Sequence, residues 1–394
     1  MKRKIAICGG GIAGASAAAA LSTLGDGYSI TLLEKDSKEE VGSVRRGETL
    51  RSESTRVLSK FGFMPYFSRL SDAIIRAGEQ RELYYGDAEL LGKFRYDYLA
   101  PEYPVIHTSH KSIVSAAYSR LERTSNVEVN FSSQAIALSD FKDGRRKVTY
   151  RSHVDGRDRE VESDLVVVAD GATSRLRNIL MVPTEQYDYK VGYLMFYMDH
   201  SKDLIEWGRF CLSPEGFVGV FPTGGELIRA AVELRIEELR DWLTAPYAEL
   251  EGRLARRAAV LKDCRIRETG YFYHVLKRHV SKYALDGLCF LGDSAHTTHP
   301  MQAQGMSMVF NDIEALRSVL SENEDQRWIL DARALSTYES KARPFNSKVM
   351  ENNHELFSFF QRLCQDRDYY KQCLPAMENM GFEPAAPIAS PRSA

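Results

Sequence analysis

Lys4-Ile5-Ala6-Ile7-Cys8-Gly9-Gly10-Gly11-Ile12-Ala13-Gly14 opens the chain with a short apolar run that ends in glycines. The run reads as a buried strand, and Gly9, Gly11 and Gly14 fit the spacing G-x-G-x-x-G. Ala15 to Leu24 reads as the next helix, with Ala17 to Ala20 small enough to press against a sheet. Tyr28-Ser29-Ile30-Thr31-Leu32-Leu33 is a second strand, closed by Glu34, 20 residues after Gly14. Each part has a chemical reason. The first glycine makes a tight turn, the second lets a pyrophosphate approach the backbone, and the third lets helix meet strand. Ile12 and Ala13 open the helix whose free N–H groups face the phosphates. The acid accepts from ribose hydroxyls, with Lys35 beside it. A dinucleotide-binding unit is the expectation, and the motif does not choose between NAD and FAD.

A second stretch lies far along the chain. Leu288-Cys289-Phe290-Leu291 reads as a buried strand, followed by Gly292-Asp293-Ser294-Ala295-His296-Thr297-Thr298-His299-Pro300-Met301-Gln302-Ala303-Gln304-Gly305-Met306. Met306, Val309, Phe310, Ile313, Leu316 and Leu320 then recur at helical spacing. Ligands collect at such a strand-to-helix crossing. Asp293 offers a carboxylate to ligand hydroxyls. Gly305 opens a helix whose free N–H groups suit an anion or an electron-rich carbonyl. The plain alternative is a glycine-punctuated loop with a capping aspartate.

The chain has 394 residues, 44% apolar and 27% charged, enough for two joined domains or one large one. The formal charge of -2 provides no basic field for nucleic acid or acidic lipid. No apolar run is long enough to span a membrane. Cysteines 8, 211, 264, 289, 364 and 373 are scattered, which argues for a reducing cytoplasm and against a disulfide framework or a metal site. Lys2-Arg3-Lys4 before a small-residue run has the outline of a secretory leader. Gly9, Gly10, Gly11 and Gly14 interrupt that run, so no leader is expected.

Between the two stretches the pattern alternates. Arg45-Arg46-Gly47-Glu48 precedes a helix through Val57, Leu58 and Phe61; either arginine could reach a phosphate or stand solvated in a loop. Leu83-Tyr84-Tyr85 and Leu90 to Phe94 read as a hairpin, with Tyr96 and Tyr98 after it. Val105 to Leu121 reads as a helix opening near Ser109, with His107 and His110 at its entrance. Val127 to Phe131, Lys147 to Tyr150 and Val161 suggest an antiparallel meander. Leu165 to Ala169 is an apolar strand running into Asp170-Gly171. Val191 to Met198, Gly216 to Pro222, Leu227 to Leu234 and Tyr271 to Tyr273 read as further strands, many of them aromatic. Ile236 to Leu261 reads as a helical stretch. One sheet face would be core or the roof of an apolar pocket. Helices then run to about 375, and the proline-bearing tail from Glu383 is expected to be disordered.

The glycine fingerprint with Glu34, then Asp170-Gly171, then Gly292-Asp293 with Pro300 and Gln304-Gly305 stand in an order that resembles the para-hydroxybenzoate hydroxylase-like, single-component flavoprotein monooxygenases. The likeness runs from residue 4 to about 345. It implies an α/β fold: a Rossmann-like FAD-binding domain (1–72, 100–183 and 284–345) with an inserted antiparallel-sheet substrate domain (73–99 and 184–283). C-terminal helices (346–382) and a disordered tail (383–394) would follow. It implies FAD as cofactor and NAD(P)H as transient reductant. Gly9, Gly11 and Gly14 would hold the pyrophosphate, Glu34 the adenosine ribose and Asp293 the ribityl chain. Asp170 and Gly171 would serve both FAD and NAD(P)H. Pro300 would lie beside the reactive flavin edge, and the backbone of Gly305 and Met306, with Gln304, near the pyrimidine ring. Arg46 and His110 are further cofactor candidates, His110 standing where the family has an arginine. The chain departs from the family at Ala303, often glycine, and Ser307, often asparagine.

The implied reaction is hydroxylation of an apolar, electron-rich aromatic molecule (a phenol, quinolone, indole or polyketide-like ring) by O2 through a flavin C4a-hydroperoxide. Tyr193, Met195, Phe210, Phe217 and Phe221 are the expected substrate wall. Tyr193 and Tyr197 could orient a phenol, and His296 or His299 could move a proton. Epoxidation and N-oxygenation remain open, as does assembly as monomer or homodimer. A halogenase or prenyl reductase shares the fold, but a halogenase calls for Trp-x-Trp-x-Ile-Pro, and Trp207, Trp242 and Trp328 are far apart. A non-catalytic flavoprotein that shields an intermediate is the alternative from another class.

Overall fold

The computed structural model describes residues 2–43, 46–67, 69–70, 72–76, 80–86, 89–95, 103–199, 207–223, 227–322 and 329–385. Five of the six strands of one sheet are mutually parallel, in the order Leu288–Phe290, Leu165–Val168, Arg3–Cys8, Tyr28–Leu33, Val127–Asn130, with Ala284–Leu285 antiparallel at the edge. Leu165–Val168 is apolar throughout because both of its faces are covered. The helix Ile12–Ser22 is almost entirely small and buried all round, and it packs against helices His110–Leu121 and Gly305–Glu322.

Parallel register has one consequence for function. Cys8 lies opposite Leu33 and Val168, and Val168 opposite Phe290. The four carboxyl ends therefore meet at one edge, and Gly9, Glu34, Asp170 and Asp293 follow them there.

The other large sheet has nine strands: His296–Thr297, Arg265–Val280, Thr184–Asp199, Leu227–Arg235, Gly216–Pro222, Gly208–Ser213, Gln80–Tyr85, Glu89–Arg95 and Phe382–Pro384. Side chains alternate across it. Leu194, Phe196 and Met198 face a core closed by Trp242, Leu250 and Leu254. Tyr193 and Met195 face the opposite way, with Phe210, Phe217 and Phe221, toward Leu356 and Phe360. Two three-stranded sheets complete the fold: Ser133–Leu138, Arg146–Ser152, Asp158–Ser163, and Gly47–Leu50, Val105–Ser109, Ile74–Arg76. No helix among the described residues is long and apolar enough to cross a membrane.

Several expectations need correction. Val105–Ser109 is a strand between two others, and the helix begins at His110. Ser109 caps it by accepting from the Ser112 N–H. Its partners are distant in sequence, so local periodicity cannot reveal the pairing. Val127–Asn130 belongs to the parallel sheet rather than to the meander. The stretch 236–261 breaks at Ala245-Pro246 into helices Leu239–Thr244 and Tyr247–Arg257, because proline lacks an N–H and restrains the residue before it. Gly208–Ser213 is a strand that the pattern reading passes over. The boundary placed at 345/346 falls inside one helix, Ala332–Gln365. Glu383 and Pro384 are paired with Lys93 and Gly92 rather than disordered; residues 386–394 lie outside the description, as do Arg45, Tyr96, Tyr98 and Trp328.

Candidate cofactor and substrate site

A β-carbon added at each fingerprint glycine separates their roles. At Gly9, with φ +103°, it would lie 2.4 Å from the Ala169 carbonyl oxygen; at Gly14, 1.8 Å from the Gly9 oxygen. Both glycines are demanded by the fold itself. At Gly11 nothing lies within 4 Å. That face is open at the helix N-terminus, where a pyrophosphate needs the backbone bare. Glu34 is buried at the strand end, and its carboxylate accepts from the Gly10 N–H (2.5 Å) and the Asp36 N–H (2.8 Å). Tyr118 donates to the Gly10 oxygen at 2.9 Å, so the turn is held from both sides. Lys35 is exposed beyond it.

Gly11, Ile12 and Ala13 line one end of a cavity of about 640 Å³. Asp293, Pro300, Gly305 and Met306 border the same space, as do Gly171, Arg46 and His110. Asp293 opens onto the cavity while protein encloses it on the other sides; this enclosure raises its carboxyl pKa, with Arg46 opposing the shift. Gly292, with φ +64°, lets the chain turn there, and its N–H donates to Asp312 at 2.9 Å. Gly305 again has nothing within 4 Å of an added β-carbon. Ala303 adopts φ +52°, a left-handed conformation that is costly for a residue with a β-carbon, at the position where the family often has glycine. One Asp170 oxygen accepts from the Leu176 N–H at 3.1 Å, and the other is buried without a partner. Gln304 is buried behind the wall, with its Oε1 likewise unpartnered. Bare glycine faces and an open acid around one space fit a flavin dinucleotide.

Arg46, Glu48 and His110 form a cluster on the wall. Arg46 Nε donates to Glu48 Oε1 at 2.6 Å, and His110 Nδ1 lies 3.1 Å from the same oxygen. Burial would raise the Glu48 carboxyl, but Arg46 and His110 outweigh it and hold the group down at about 2.

The far end of the cavity is aromatic. Tyr193, Met195, Phe210, Phe217 and Phe221 all line it, as does Tyr273, whose ring stacks on Tyr193 at 5.7 Å. The Tyr193 hydroxyl does not point to a ligand: it donates to the buried Glu233 carboxylate at 2.7 Å. Burial and Glu233 push its pKa well above the ordinary value. Tyr197 is not on the cavity wall.

The proton-transfer roles expected for His296 and His299 do not match where these residues lie, since neither borders the cavity. His296 is buried, with Nε2 2.7 Å from Asp312. Asp312 also accepts from Asn346 at 2.7 Å, so this histidine ties the Gly292-Asp293 turn to two helices. His299 is fully buried among Tyr189, Tyr193 and Phe357, and both of its ring nitrogens lack partners. Burial, with a smaller effect from His354, lowers its pKa from 6.5 to about 3. Between those values the unfolded chain takes up a proton that the folded chain refuses, so stability falls as pH falls through that window. His299→Phe is expected to flatten the profile by about 1 kcal/mol per pH unit. Urea unfolding of both proteins from pH 7 to pH 4 checks this, and parallel profiles would contradict it.

Sequence reasoning missed Arg81, Arg229 and Asp312. A signal existed for Arg229: a charge within the apolar run Leu227–Val232, in phase with Ala231 on the cavity side. Asp312 sits in a helical stripe whose spacing is indistinguishable from an ordinary surface acid.

Residues 2–353 match the family described as FAD binding domain. A 3-demethoxyubiquinol 3-hydroxylase of Escherichia coli (strain K12) is 24% identical over 202 residues, an alignment spanning half of each chain. The mitochondrial ubiquinone biosynthesis monooxygenase COQ6 of Drosophila melanogaster is 25% identical over 90% of this chain and 82% of its own. Among solved structures, pqsL, a probable FAD-dependent monooxygenase from Pseudomonas aeruginosa, shares the fold: its TM-score is 0.79 at 22% identity, covering 95% of this chain and all of that one. The chain thus belongs to the FAD-binding family that contains the para-hydroxybenzoate hydroxylase-like flavoprotein monooxygenases.

Proposed function

We propose that this protein uses NAD(P)H and O2 to hydroxylate a small aromatic molecule. The observation that carries the reading is a single cavity whose glycine-faced end suits FAD and whose other end is walled by aromatic rings. Bound FAD would supply what amino acids cannot, namely acceptance of reducing equivalents from NAD(P)H and activation of dioxygen.

The chain's own residues would do the rest. Gly9, Gly11 and Gly14 would shape the turn around the pyrophosphate, and Glu34 would meet the adenosine ribose. Asp293 would accept from the ribityl hydroxyls. The free N–H groups at Gly305 would favour negative charge at the flavin's pyrimidine edge. Tyr193, Phe210, Phe217 and Phe221 would hold the substrate ring and exclude water, which competes for the activated oxygen. Pro300, on the same cavity wall, would set how closely flavin and substrate approach. Tyr193 would act through its ring, because its hydroxyl is engaged by Glu233.

Purified protein loaded with FAD is expected to oxidise NAD(P)H faster when an aromatic substrate is added and to yield a product 16 mass units heavier, roughly one oxygen atom. Colourless protein that refuses added FAD would end the reading. So would NAD(P)H oxidation that yields only peroxide across the whole aromatic panel.

A further inference from the structure

The helix Ala332–Gln365 touches both halves of the site. Tyr338 donates to the Phe290 carbonyl oxygen at 2.7 Å, and Leu356 and Phe360 pack behind the aromatic wall. Its buried stripe is not purely apolar. Asn346, Val349, Met350, Asn353, Leu356 and Phe360 recur on one face at helical spacing, so a packing surface carries two asparagines seven residues apart. Both are fully buried. A buried carboxamide is costly unless its hydrogen bonds are made. Asn346 meets Asp312, as described above. Asn353 meets the loop that carries Pro300: its Oδ1 accepts from the Gln302 N–H at 3.3 Å, and its Nδ2 donates to Thr298 Oγ1 at 3.2 Å.

The two bonds fix each other's sense. A backbone N–H can only donate, so the carboxamide oxygen must face Gln302 and the amide nitrogen must face Thr298. The same loop is held from another side, where the Gln302 carbonyl accepts from Arg51 Nη1 at 3.4 Å. Thr298, Pro300, Met301 and Ala303 all border the cavity, and Asn353 does not. One residue behind the wall thus grips the loop on both flanks of Pro300. Ala303 holds its left-handed conformation in this loop, and such a conformation persists only where the surroundings enforce it. Because Thr298 Oγ1 accepts from Asn353, its own O–H is left to donate.

We propose that Asn353 is a positioning residue: it holds the loop 298–303 against the cavity and so fixes where Pro300 stands between flavin and substrate. It touches neither of them and acts through Gln302 and Thr298. Its effect on turnover rests on the flavin-site reading above; its restraint of the loop does not. A misplacement of about 1 Å at a reacting centre can cost about 100-fold in rate. Loosening the loop should therefore divert oxygen to peroxide while the glycine cradle and the aromatic wall stay as they are.

Amide hydrogen exchange on the flavin-free full chain tests the restraint. Asn353→Leu keeps the bulk and loses both bonds. In it the peptide spanning Gln302 is expected to exchange about 10-fold or more faster, while the strand Leu165–Val168 exchanges as in the wild type. Asn353→Asp still accepts from the Gln302 N–H and should keep most of the protection. It would also accept the Thr298 O–H and turn that donor inward. Thr298→Val cuts one of the two bonds from the loop's side and should loosen Gln302 in the same direction to a smaller extent, so the test does not depend on one variant folding. With FAD and a substrate from the aromatic panel, product formed per NAD(P)H consumed should fall about 5-fold or more in Asn353→Leu. Peroxide should make up the difference, with KM and FAD content unchanged and Asn353→Asp in between. Unchanged exchange at Gln302 in Asn353→Leu would overturn the proposal, as would a loosened loop with undiminished product yield. Protein that takes up no flavin, yet whose loop loosens in Asn353→Leu, upholds the restraint and removes the flavin reading. A wild-type hydroxylase with an Asn353→Leu variant indistinguishable from it does the reverse.

Discussion

Gly11→Ala protein is expected to fold as the wild type does and to emerge without flavin. An added methyl at Gly11 meets no protein atom within 4 Å, and the residue has ordinary extended backbone angles, φ -67° and ψ -166°. The fold therefore loses little, within about 1 kcal/mol. The methyl would instead occupy space that a pyrophosphate needs at the helix N-terminus, and FAD affinity should fall about 100-fold or more. Gly14→Ala is the opposite case. Its methyl would lie 1.8 Å from the Gly9 carbonyl oxygen, which is backbone and cannot turn aside. A loss of about 3 kcal/mol or more in folding stability is expected, with flavin lost as a consequence. Flavin content by absorbance, with urea unfolding of the stripped proteins, separates the two. Yellow Gly11→Ala protein with unchanged affinity would mean that no pyrophosphate lies at that turn.

Asp312→Ala should be the most damaging change outside the cavity wall. Asp312 is fully buried and gathers three groups: the Gly292 N–H, His296 Nε2 and Asn346 Nδ2. Alanine would leave these groups buried without that acceptor, at about 1–3 kcal/mol each. A total loss of about 3–5 kcal/mol is expected, since relaxation recovers part of it. Because one of those groups belongs to the turn that presents Asp293, flavin affinity should fall as well. Asp312→Asn keeps one oxygen and should fall between the two. Stability within about 1 kcal/mol of the wild type would remove Asp312 from its role as the anchor of this turn.

Much of the molecule could be read from residue order, and the reason differs from part to part. The fingerprint was legible because its constraints are local: Gly9 and Gly14 collide with backbone a few residues away or one strand over, so their identity shows directly in the chain. The aromatic wall was legible because Tyr193 and Met195, and likewise Leu194 and Phe196, alternate strictly along one strand. Val105–Ser109 was misread because its strand character comes from partners at Gly47–Leu50 and Ile74–Arg76. His296 and His299 were misread for a related reason. Histidine next to a ligand motif suggests proton transfer, and only burial shows whether the ring reaches the ligand.

Local sequence by itself determined that a glycine turn, a following helix and a terminal acid would build a dinucleotide cradle, because steric demands within about 30 residues leave few other solutions. It likewise determined the two-faced strands. Only the tertiary structure decided which polar groups face the cavity. Arg229 comes beside Arg81 through strand pairing across more than a hundred residues, and Asp312 meets His296 and Asn346 through helix packing. Which polar groups can meet a ligand depends on which neighbours already engage them. That is a property of three-dimensional proximity and burial, and no spacing along the chain encodes it.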